Sequence, residues 1–281
     1  MDYAFNRRRF ITAAGALLSL KGATTAFSAP SSAHSSDIKL GVASYSLRKL
    51  RRKQVIDALK ELKTPYLNIK EFHLPYNSSP AELDAGRKEF EKAGLKIVGG
   101  GTINLKDDSD TDIRKYFEYA KRSAMPLIVI APSQQTMPRI ERFVKEYNIK
   151  AAIHNHGPED QFFPAPQDAL KVVKNMDPRV GLCIDVGHTA RTGVDVVQSI
   201  AEAGSRLLDM HMKDLRSLSN KDSQCRVGEG SIPVVAIFKQ LKKMKYQGMV
   251  NLEYEIDAES PVPGMIQSFA YMRGVLDGLR G

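Results

Sequence analysis

The chain has 281 residues, and its composition excludes several classes of protein. Hydrophobic residues make up 42% and charged residues 26%, which is ordinary for a globular protein with a sizeable core and excludes disorder for most of the chain. The formal net charge is +9, and it falls to about +6 without residues 1–28, which carry four basic side chains and one acidic side chain. No dense basic block remains, so we expect no nucleic-acid partner.

Residues 1–28 have the composition of an export signal. An arginine triplet at 7–9 precedes an apolar run over 11–20, and small residues follow at plausible cleavage positions. The Arg-Arg-x-Phe core resembles a twin-arginine signal and is favoured over a basic surface helix. We therefore expect a periplasmic protein with a linker at 29–37 and a folded domain at 38–281. After cleavage it should have no membrane contact, because no other apolar run approaches the roughly 20 residues that span a bilayer.

The rest of the chain alternates short apolar runs with amphipathic helical segments, such as 55–62 and 113–120. Strands that alternate with helices are parallel, and eight such units predict an α/β protein with a (β/α)8 TIM barrel as its one domain. The glycine run at 99–101 lacks the rest of a dinucleotide fingerprint, which disfavours a doubly wound sheet. The predicted strands are Ile38 to Tyr45, Tyr66 to Phe72, Lys96 to Ile103, Leu127 to Ala131, Lys150 to His156, Val180 to Val186, Leu207 to Lys213 and Met249 to Glu255.

Polar side chains stand at the carboxyl ends of four predicted strands. A buried carboxylate such as Asp185 costs several kcal/mol unless a cation or hydrogen-bond donors meet it, so its place after an apolar run indicates a site. The carboxyl ends of barrel strands form one mouth, where catalytic residues lie. Imidazoles and carboxylates together suit one divalent transition ion, namely Mn, Co, Zn or Fe. The residues concerned are His154 and His156, Asp185, His211 and Lys213, and Glu253 and Glu255.

Five short motifs carry a resemblance to a known group of proteins. They read Ile153-His154-Asn155-His156-Gly157, Ile184-Asp185-Val186-Gly187-His188, Met210-His211-Met212-Lys213-Asp214, Gly228-Glu229-Gly230 and Leu252-Glu253-Tyr254-Glu255. In order and spacing they resemble the xylose isomerase-like TIM-barrel superfamily, over about Ile38 to Leu279. That group includes sugar phosphate isomerases and epimerases, ketose 3-epimerases, inosose dehydratases and endonuclease IV. The motifs are fairly specific for fold and metal and poorly specific for substrate.

The resemblance implies a set of four metal ligands. Epimerases of the superfamily hold their metal with a Glu, an Asp, a His and a second Glu, which places ligands at Asp185, His211 and Glu253. Where that branch has Glu-Asn-His-Gly, this chain has His-Asn-His-Gly, so His154 takes the first ligand position. A histidine there removes one of the two opposed carboxylate bases that a ketose epimerase uses. His156 remains an alternative source of this imidazole.

The resemblance also implies a sugar isomerase or epimerase that abstracts a proton next to the carbonyl of a small-molecule carbohydrate. A metal at the site would make that proton more acidic, and Glu253 is the expected base. We expect His188 and Lys213 to assist catalysis, and a structural role stays open for each. The residues expected to contact the substrate are Glu71, His73, His156 and Glu255.

Other functions stay open. Loss of the first carboxylate favours, as an alternative, a metal-dependent lyase or dehydratase of a keto-sugar or keto-glycoside, because elimination needs only one base. A non-catalytic sugar-binding barrel is a further alternative, and the sequence leaves a homo-oligomer open. A nucleic-acid enzyme similar to endonuclease IV is disfavoured by the export signal.

The chain has two cysteines, and both are expected to be free thiols. Cys183 falls in a buried strand and Cys225 in a polar loop. Nothing in the sequence indicates the geometry that a disulfide between them requires, even in an oxidising compartment.

Overall fold

The computed structural model describes residues 38–280. The predicted export signal and linker lie outside the described residues, and both stay predictions. Within the described range no helix is long and apolar enough to cross a membrane.

Eight parallel strands close into a barrel, which confirms the predicted (β/α)8 fold. The barrel strands are β1 (Lys39–Ala43), β2 (Tyr66–Ile69), β3 (Lys96–Leu105), β4 (Leu127–Pro132), β5 (Lys150–His154), β6 (Val180–Asp185), β7 (Leu207–Met212) and β10 (Met249–Leu252). Two further strands, β8 (Asp214–Leu215) and β9 (Gln224–Cys225), lie between β7 and β10 in the chain and outside the barrel. Around the barrel the order is β1, β10, β7, β6, β5, β4, β3, β2. The short strands β8 and β9 form a separate antiparallel pair beyond β7. All eight carboxyl ends therefore meet at one mouth.

Helices cover the outside of the barrel and connect its strands. Ser79 is the N-cap of the helix Pro80–Lys92, where its hydroxyl accepts the N–H of Glu82 and the Glu82 carboxylate accepts the N–H of Ser79. Ser109 and Asp195 are the N-caps of the helices Asp110–Arg122 and Val196–Ala203, and each side chain accepts a backbone N–H. The helices are α1 (Arg52–Glu61), α2 (Pro80–Lys92), α3 (Asp110–Arg122), α4 (Met137–Tyr147), α5 (Pro166–Val173), α6 (Val186–Arg191), α7 (Val196–Ala203), α8 (Val234–Lys243) and α9 (Val262–Gly278).

Several strands end one to three residues earlier than the sequence pattern predicts. An apolar run does not show where ladder hydrogen bonds stop, because buried residues continue into the loop beyond the strand. The strands therefore end before Glu71, His73, His156 and Glu255, and these four residues lie beyond the ladders that were predicted to include or precede them.

A polar layer crosses the barrel interior below the mouth. Asp209 of β7 is 3% exposed, and its carboxylate accepts hydrogen bonds from Asn68 of β2 at 2.9 Å and from Asn251 of β10 at 2.8 Å. Burial raises the pKa of Asp209 to about 6. Lys70 lies two residues beyond Asn68, and His211 lies two residues beyond Asp209, so both follow this layer on the side of the mouth.

Both cysteines are free thiols among the described residues, as expected. Cys183 is buried in β6. The prediction of a polar loop at Cys225 is wrong, because this residue pairs with Asp214 in the β8–β9 ladder and is 3% exposed. Burial raises the pKa of the Cys225 thiol to about 11. A strand of two residues is too short to leave a pattern in the sequence.

Candidate active site

Four side chains from different strands converge at the mouth. His154 ends β5, Asp185 ends β6, His211 lies in β7 and Glu253 directly follows β10. One ligand atom from each lies within 4.8 Å of the others, and all four residues are buried. Neighbouring strands thus bring together the four residues that the sequence indicated as metal ligands.

The spacing of these atoms fits one divalent ion. His154 Nε2 lies 2.9 Å from His211 Nδ1 and 3.6 Å from Asp185 Oδ2. His211 Nδ1 lies 3.2 Å from Glu253 Oε2. Ligands bound at about 2.1 Å to one ion, in tetrahedral or octahedral geometry, are about 3.0–3.4 Å apart. Two imidazoles and two carboxylates at this spacing could hold a divalent transition metal.

The electrostatics of the cluster also favour a cation. Burial, helped by the neighbouring imidazoles, lowers the pKa of His154 well below its ordinary value, so this ring is neutral. Burial opposes protonation of His211 as well, but Glu253, Asp209 and Asp185 together outweigh it and raise the pKa of His211. Asp185 Oδ2 is buried, and its close polar neighbours are Lys213 Nζ at 3.0 Å and His154 Nε2 at 3.6 Å. A divalent ion held by the cluster would add positive charge beside this buried carboxylate and stabilise its ionised form.

Lys213 is a buried cation held by three carboxylates. Its Nζ lies 3.0 Å from Asp185 Oδ2 and 3.1 Å from Glu253 Oε2, and it also contacts Glu255. Burial works against the charged form, but these carboxylates outweigh it and raise the pKa of Lys213 well above its ordinary value. Gly187 makes room for the side chain, because a Cβ there would lie 2.7 Å from two Lys213 carbons. This ammonium is fully engaged, which favours a structural role over the predicted catalytic one.

The short helix α6 places Asp185 and His188 side by side. Asp185 is the N-cap of α6, and its Oδ1 accepts the N–H of His188 at 2.8 Å. The Asp185 N–H donates in turn to Asn155 Oδ1 at 3.1 Å. One carboxylate oxygen therefore serves the helix while the other faces the cluster. The His188 ring lies beside Arg191, whose Nη1 is 3.2 Å from His188 Nδ1, and burial lowers the pKa of His188.

A cavity of about 590 Å³ opens beside the cluster. Ligand-binding pockets commonly have about 300–1,000 Å³, so this one has room for a carbohydrate. Two predicted catalytic residues, His188 and Lys213, lie in its wall, and so do two predicted substrate contacts, His156 and Glu255. The charged side chains of the wall are the cations Arg191, Lys213 and Lys221 and the anions Glu159, Asp222 and Glu255.

His73 does not reach this cavity. It is 1% exposed, and its Nδ1 lies 3.0 Å from Ser44 Oγ. Its Nε2 lies 3.0 Å from the carbonyl oxygen of Leu47 and 3.1 Å from that of Leu50. Burial lowers the pKa of the ring, which is neutral and has both nitrogens engaged. β2 ends at Ile69 and His73 belongs to a buried turn beyond it, so the geometry gives no support to the predicted substrate contact of His73.

The other predicted substrate contacts lie in different surroundings. Glu71 is half-buried, accepts a hydrogen bond from the Tyr76 hydroxyl at 3.2 Å and is not part of the cavity wall. His156 Nδ1 lies 3.2 Å from Asp160 Oδ2, and the His156 ring centroid is 4.3 Å from that of His154. The geometry thus gives no support to Glu71, whereas His156 stays a predicted substrate contact.

Residues 56–275 match the family model described as "Xylose isomerase-like TIM barrel". The chain belongs to this family. An inosose dehydratase of Mesomycoplasma hyopneumoniae is 26% identical over 163 residues, which is 52% of each protein. The chain spans about half the length of the curated relatives it matches.

Solved structures show the same xylose isomerase-like barrel. An IolI protein with a bound zinc atom superposes with a TM-score of 0.73 at 17% identity, covering 86% of this chain and 99% of that one. The 3-keto-D-glucoside 4-epimerase of E. coli superposes with a TM-score of 0.70 at 17% identity, covering 85% of this chain and all of the other. At these identities the likeness shows the fold.

Two charged residues of this xylose isomerase-like barrel were missed from the sequence. Asp214 holds the loop beyond β7, because its carboxylate accepts the backbone N–H groups of Gly228, Gly230 and Ile232 at 2.9–3.0 Å. The Gly-x-Gly turn is a signal that could have indicated it. Lys70 follows β2 and is 9% exposed. Its position as a cation at the end of an apolar strand could have indicated Lys70 as a site residue. The neighbouring Glu71 and His73 were predicted instead, because Glu and His are more common in active sites.

Proposed function

We propose that the protein is a metal-dependent enzyme that abstracts a proton next to the carbonyl of a keto-carbohydrate and then eliminates an oxygen substituent from the adjacent carbon. The cluster of two imidazoles and two carboxylates supports a divalent transition metal, which would polarise the carbonyl of a bound ketone. The names of similar proteins support ketone chemistry, since they include an inosose dehydratase and a 3-keto-D-glucoside 4-epimerase. Glu253 is the proposed base.

One observation favours elimination over epimerisation. Glu253 is the one carboxylate of the cluster that can serve as a base. Inversion of a carbon centre needs proton transfer on two opposite faces, whereas elimination needs one base. Both Asp185 oxygens are engaged, Oδ1 at the start of α6 and Oδ2 with Lys213, whereas Glu253 contacts His211 and Lys213 through Oε2 alone. The remaining position holds His154, a histidine instead of a carboxylate. A single available carboxylate thus favours one-base chemistry.

The charges of the cavity favour an uncharged substrate. Its wall carries three cationic and three anionic side chains. Lys213 is paired with Glu255 and Arg191 with Glu159, so Lys221 is the one cation of this wall without a carboxylate partner among the described residues. A phosphate group is normally met by unpaired arginine or lysine side chains or by free amides at a helix N-terminus. We therefore propose a neutral keto-sugar or keto-glycoside rather than a sugar phosphate.

A sugar isomerase or epimerase is the second candidate. Epimerases such as the E. coli 3-keto-D-glucoside enzyme share the fold, and His188 lies close enough to the cluster to act as a second acid or base. Its half-buried ring at the cavity wall is the observation that favours this candidate.

Proton NMR in D₂O with methyl 3-keto-β-D-glucoside as the probe tests the proposal. We expect metal-loaded protein to release methanol and form an unsaturated keto-sugar, and the Glu253→Gln variant to do neither. Deuterium in an intact sugar of inverted configuration, with no methanol, would instead establish the epimerase. A wild-type protein that leaves this probe and related keto-sugars unchanged would contradict both candidates.

We also propose that the enzyme works in the periplasm after export through the twin-arginine route. The arginine triplet at 7–9 and the apolar run at 11–20 support this proposal. Substituting the three arginines by lysine should retain the protein in the cytoplasm on cell fractionation. Unchanged export of that variant would contradict the signal.

A further inference from the structure

Lys70 is a buried lysine without a carboxylate in ion-pair contact among residues 38–280. It is 9% exposed, whereas the other buried lysine of the mouth, Lys213, contacts three carboxylates. A largely buried lysine without a carboxylate partner is unfavourable unless another group uses its charge. The fold therefore retains at Lys70 a positive charge that packing alone does not explain.

Lys70 follows the polar layer of the barrel interior on the side of the mouth, as His211 and Glu253 do, because each lies two residues beyond a member of that layer. The backbone N–H of Lys70 donates to Ser44 Oγ at 2.8 Å, which fixes the Lys70 backbone beside the end of β1. Its Nζ lies 5.2 Å from the centroid of the Tyr45 ring, a cation–π contact that holds the charge in the mouth. β1 lies between β2 and β10, so Lys70 and Glu253 follow strands that are separated by one strand only.

His211 and Lys213 contact Glu253 directly and belong to the cluster. Lys70 makes no ion pair among the described residues, so its ammonium group is the cation that remains available to a substrate.

We propose that Lys70 is the catalytic acid that protonates the leaving oxygen in the elimination. This inference rests on the proposed function. The C–H bond next to the ketone breaks and its proton goes to Glu253. The electron pair of that bond forms the C=C double bond, and the bond to the leaving oxygen breaks with its electron pair on oxygen. That oxygen takes a proton from Lys70, so the products are an unsaturated keto-sugar and an alcohol. Solvent exchange then returns Glu253 and Lys70 to their starting states.

An exposed aromatic ring beside Lys70 indicates the class of leaving group. Phe72 is 49% exposed, which is unusual for a phenylalanine, and its ring centroid lies 5.9 Å from that of Tyr45. Aromatic faces bind the apolar faces of sugars and aryl groups. A group that departs past Lys70 would meet these rings, so the substrate class is a keto-glycoside whose leaving group contains a ring.

The test compares leaving groups in the Lys70→Met variant. The probes are cyclohexyl and 4-nitrophenyl 3-keto-β-D-glucosides, because nitrophenolate departs without protonation and an alkoxide does not. Removal of a general acid commonly costs about 10²–10⁴-fold in rate. We expect such a loss with the cyclohexyl probe and less than about a tenth of it with the nitrophenyl probe. Recovered cyclohexyl substrate should take up solvent deuterium next to the ketone, because Glu253 still acts.

Two controls complete the design. Lys49→Met removes an exposed lysine near the same mouth, whose side chain is 58% exposed, and should behave as wild type with both probes. Titration of Lys70→Met with Mn²⁺ should give the wild-type affinity, because Lys70 is not a ligand. Equal losses with both probes, or no loss with either, would overturn the role of Lys70. Failure of the proposed function is distinct, because the wild type itself would then neither exchange deuterium nor release alcohol.

Discussion

Removing the Lys213 ammonium while keeping its volume should destabilise the metal-free protein strongly. Lys213→Met leaves the aliphatic stem packed against Gly187 but removes the charge that contacts Asp185, Glu253 and Glu255. Three carboxylates would then share a buried site without their cation. The variant should consequently depend on a bound metal ion more than the wild type does.

The magnitude follows from the burial of this network. Removing one partner of a buried ion pair costs about 3–5 kcal/mol, because the remaining charge stays buried. For a domain of this size, 1 kcal/mol lowers the thermal midpoint by about 2–4 °C, so metal-free Lys213→Met should melt about 6–20 °C below the wild type. A bound divalent ion supplies positive charge to Asp185 and Glu253, so most of this deficit should disappear on saturation with Mn²⁺ or Zn²⁺.

The assay is a thermal melt followed by circular dichroism, with and without metal. Lys53→Met is a matched control, because Lys53 also pairs with a carboxylate, Asp57 at 2.8 Å, but its side chain is 87% exposed. Exposed pairs contribute about 0–1 kcal/mol, so the control should lose a few degrees at most. If the metal-free Lys213 variant melts together with this control, the buried network does not stabilise the fold and the reasoning is refuted.

Three further predictions concern the same mouth. Asp185→Ala should release the metal while the far-ultraviolet circular dichroism spectrum persists, and full metal occupancy in that variant would show that Asp185 is not a ligand. His154→Glu should shift preference toward harder ions such as Mn²⁺ or Mg²⁺, whereas an unstable variant with wild-type selectivity would assign the imidazole to His156. Burial raises the pKa of Asp160, but hydrogen bonds from His156 and two backbone amides outweigh it and lower the pKa below 3.8. Asp160 therefore stabilises the fold above that value and loses this effect as pH falls, so the deficit of Asp160→Asn in melts should be largest at neutral pH and vanish in acid.

The sequence contained enough information for the barrel and for the position of its mouth. Eight apolar runs alternate with helical periodicity, and parallel closure follows from that alternation. Strand ends were less predictable, because burial continues beyond the last ladder residue to Ser44, Lys70 and Glu253, and the sequence does not show where the ladder hydrogen bonds stop. The β8–β9 pair left no signal, since its four residues owe their arrangement to hydrogen bonds of Asp214 with a distant turn.

The sequence predicted the site residues whose position at a strand end indicates their role. It did not predict the residues whose role depends on contacts with distant parts of the chain. Asp185 and His211 were predictable because polar side chains that end apolar strands meet at a barrel mouth. His73 has the same local sequence character, yet its ring is used by Ser44 and two backbone carbonyls. Nothing within a few residues of a histidine shows whether its nitrogens are already engaged. Likewise, Lys213 and Lys70 differ only in which distant carboxylates reach them.

Charge balance connects the cluster, the metal and the proposed reaction. Asp185 and Glu253 of the cluster share Lys213 with a third carboxylate, Glu255. With these three acids ionised, the lysine charged and both imidazoles neutral, the connected group carries a net charge of −2, so a divalent ion makes it neutral. A monovalent ion would leave a buried net charge, which is costly. In the proposed elimination one proton moves from carbon to Glu253 and another moves from Lys70 to the leaving oxygen. Glu253 thus loses its negative charge and Lys70 its positive charge, so the net charge of the protein groups does not change. The site can therefore stay neutral through the reaction without drawing an ion from solvent, and this is a physical reason for keeping both an unpaired lysine and a single carboxylate base in one barrel mouth.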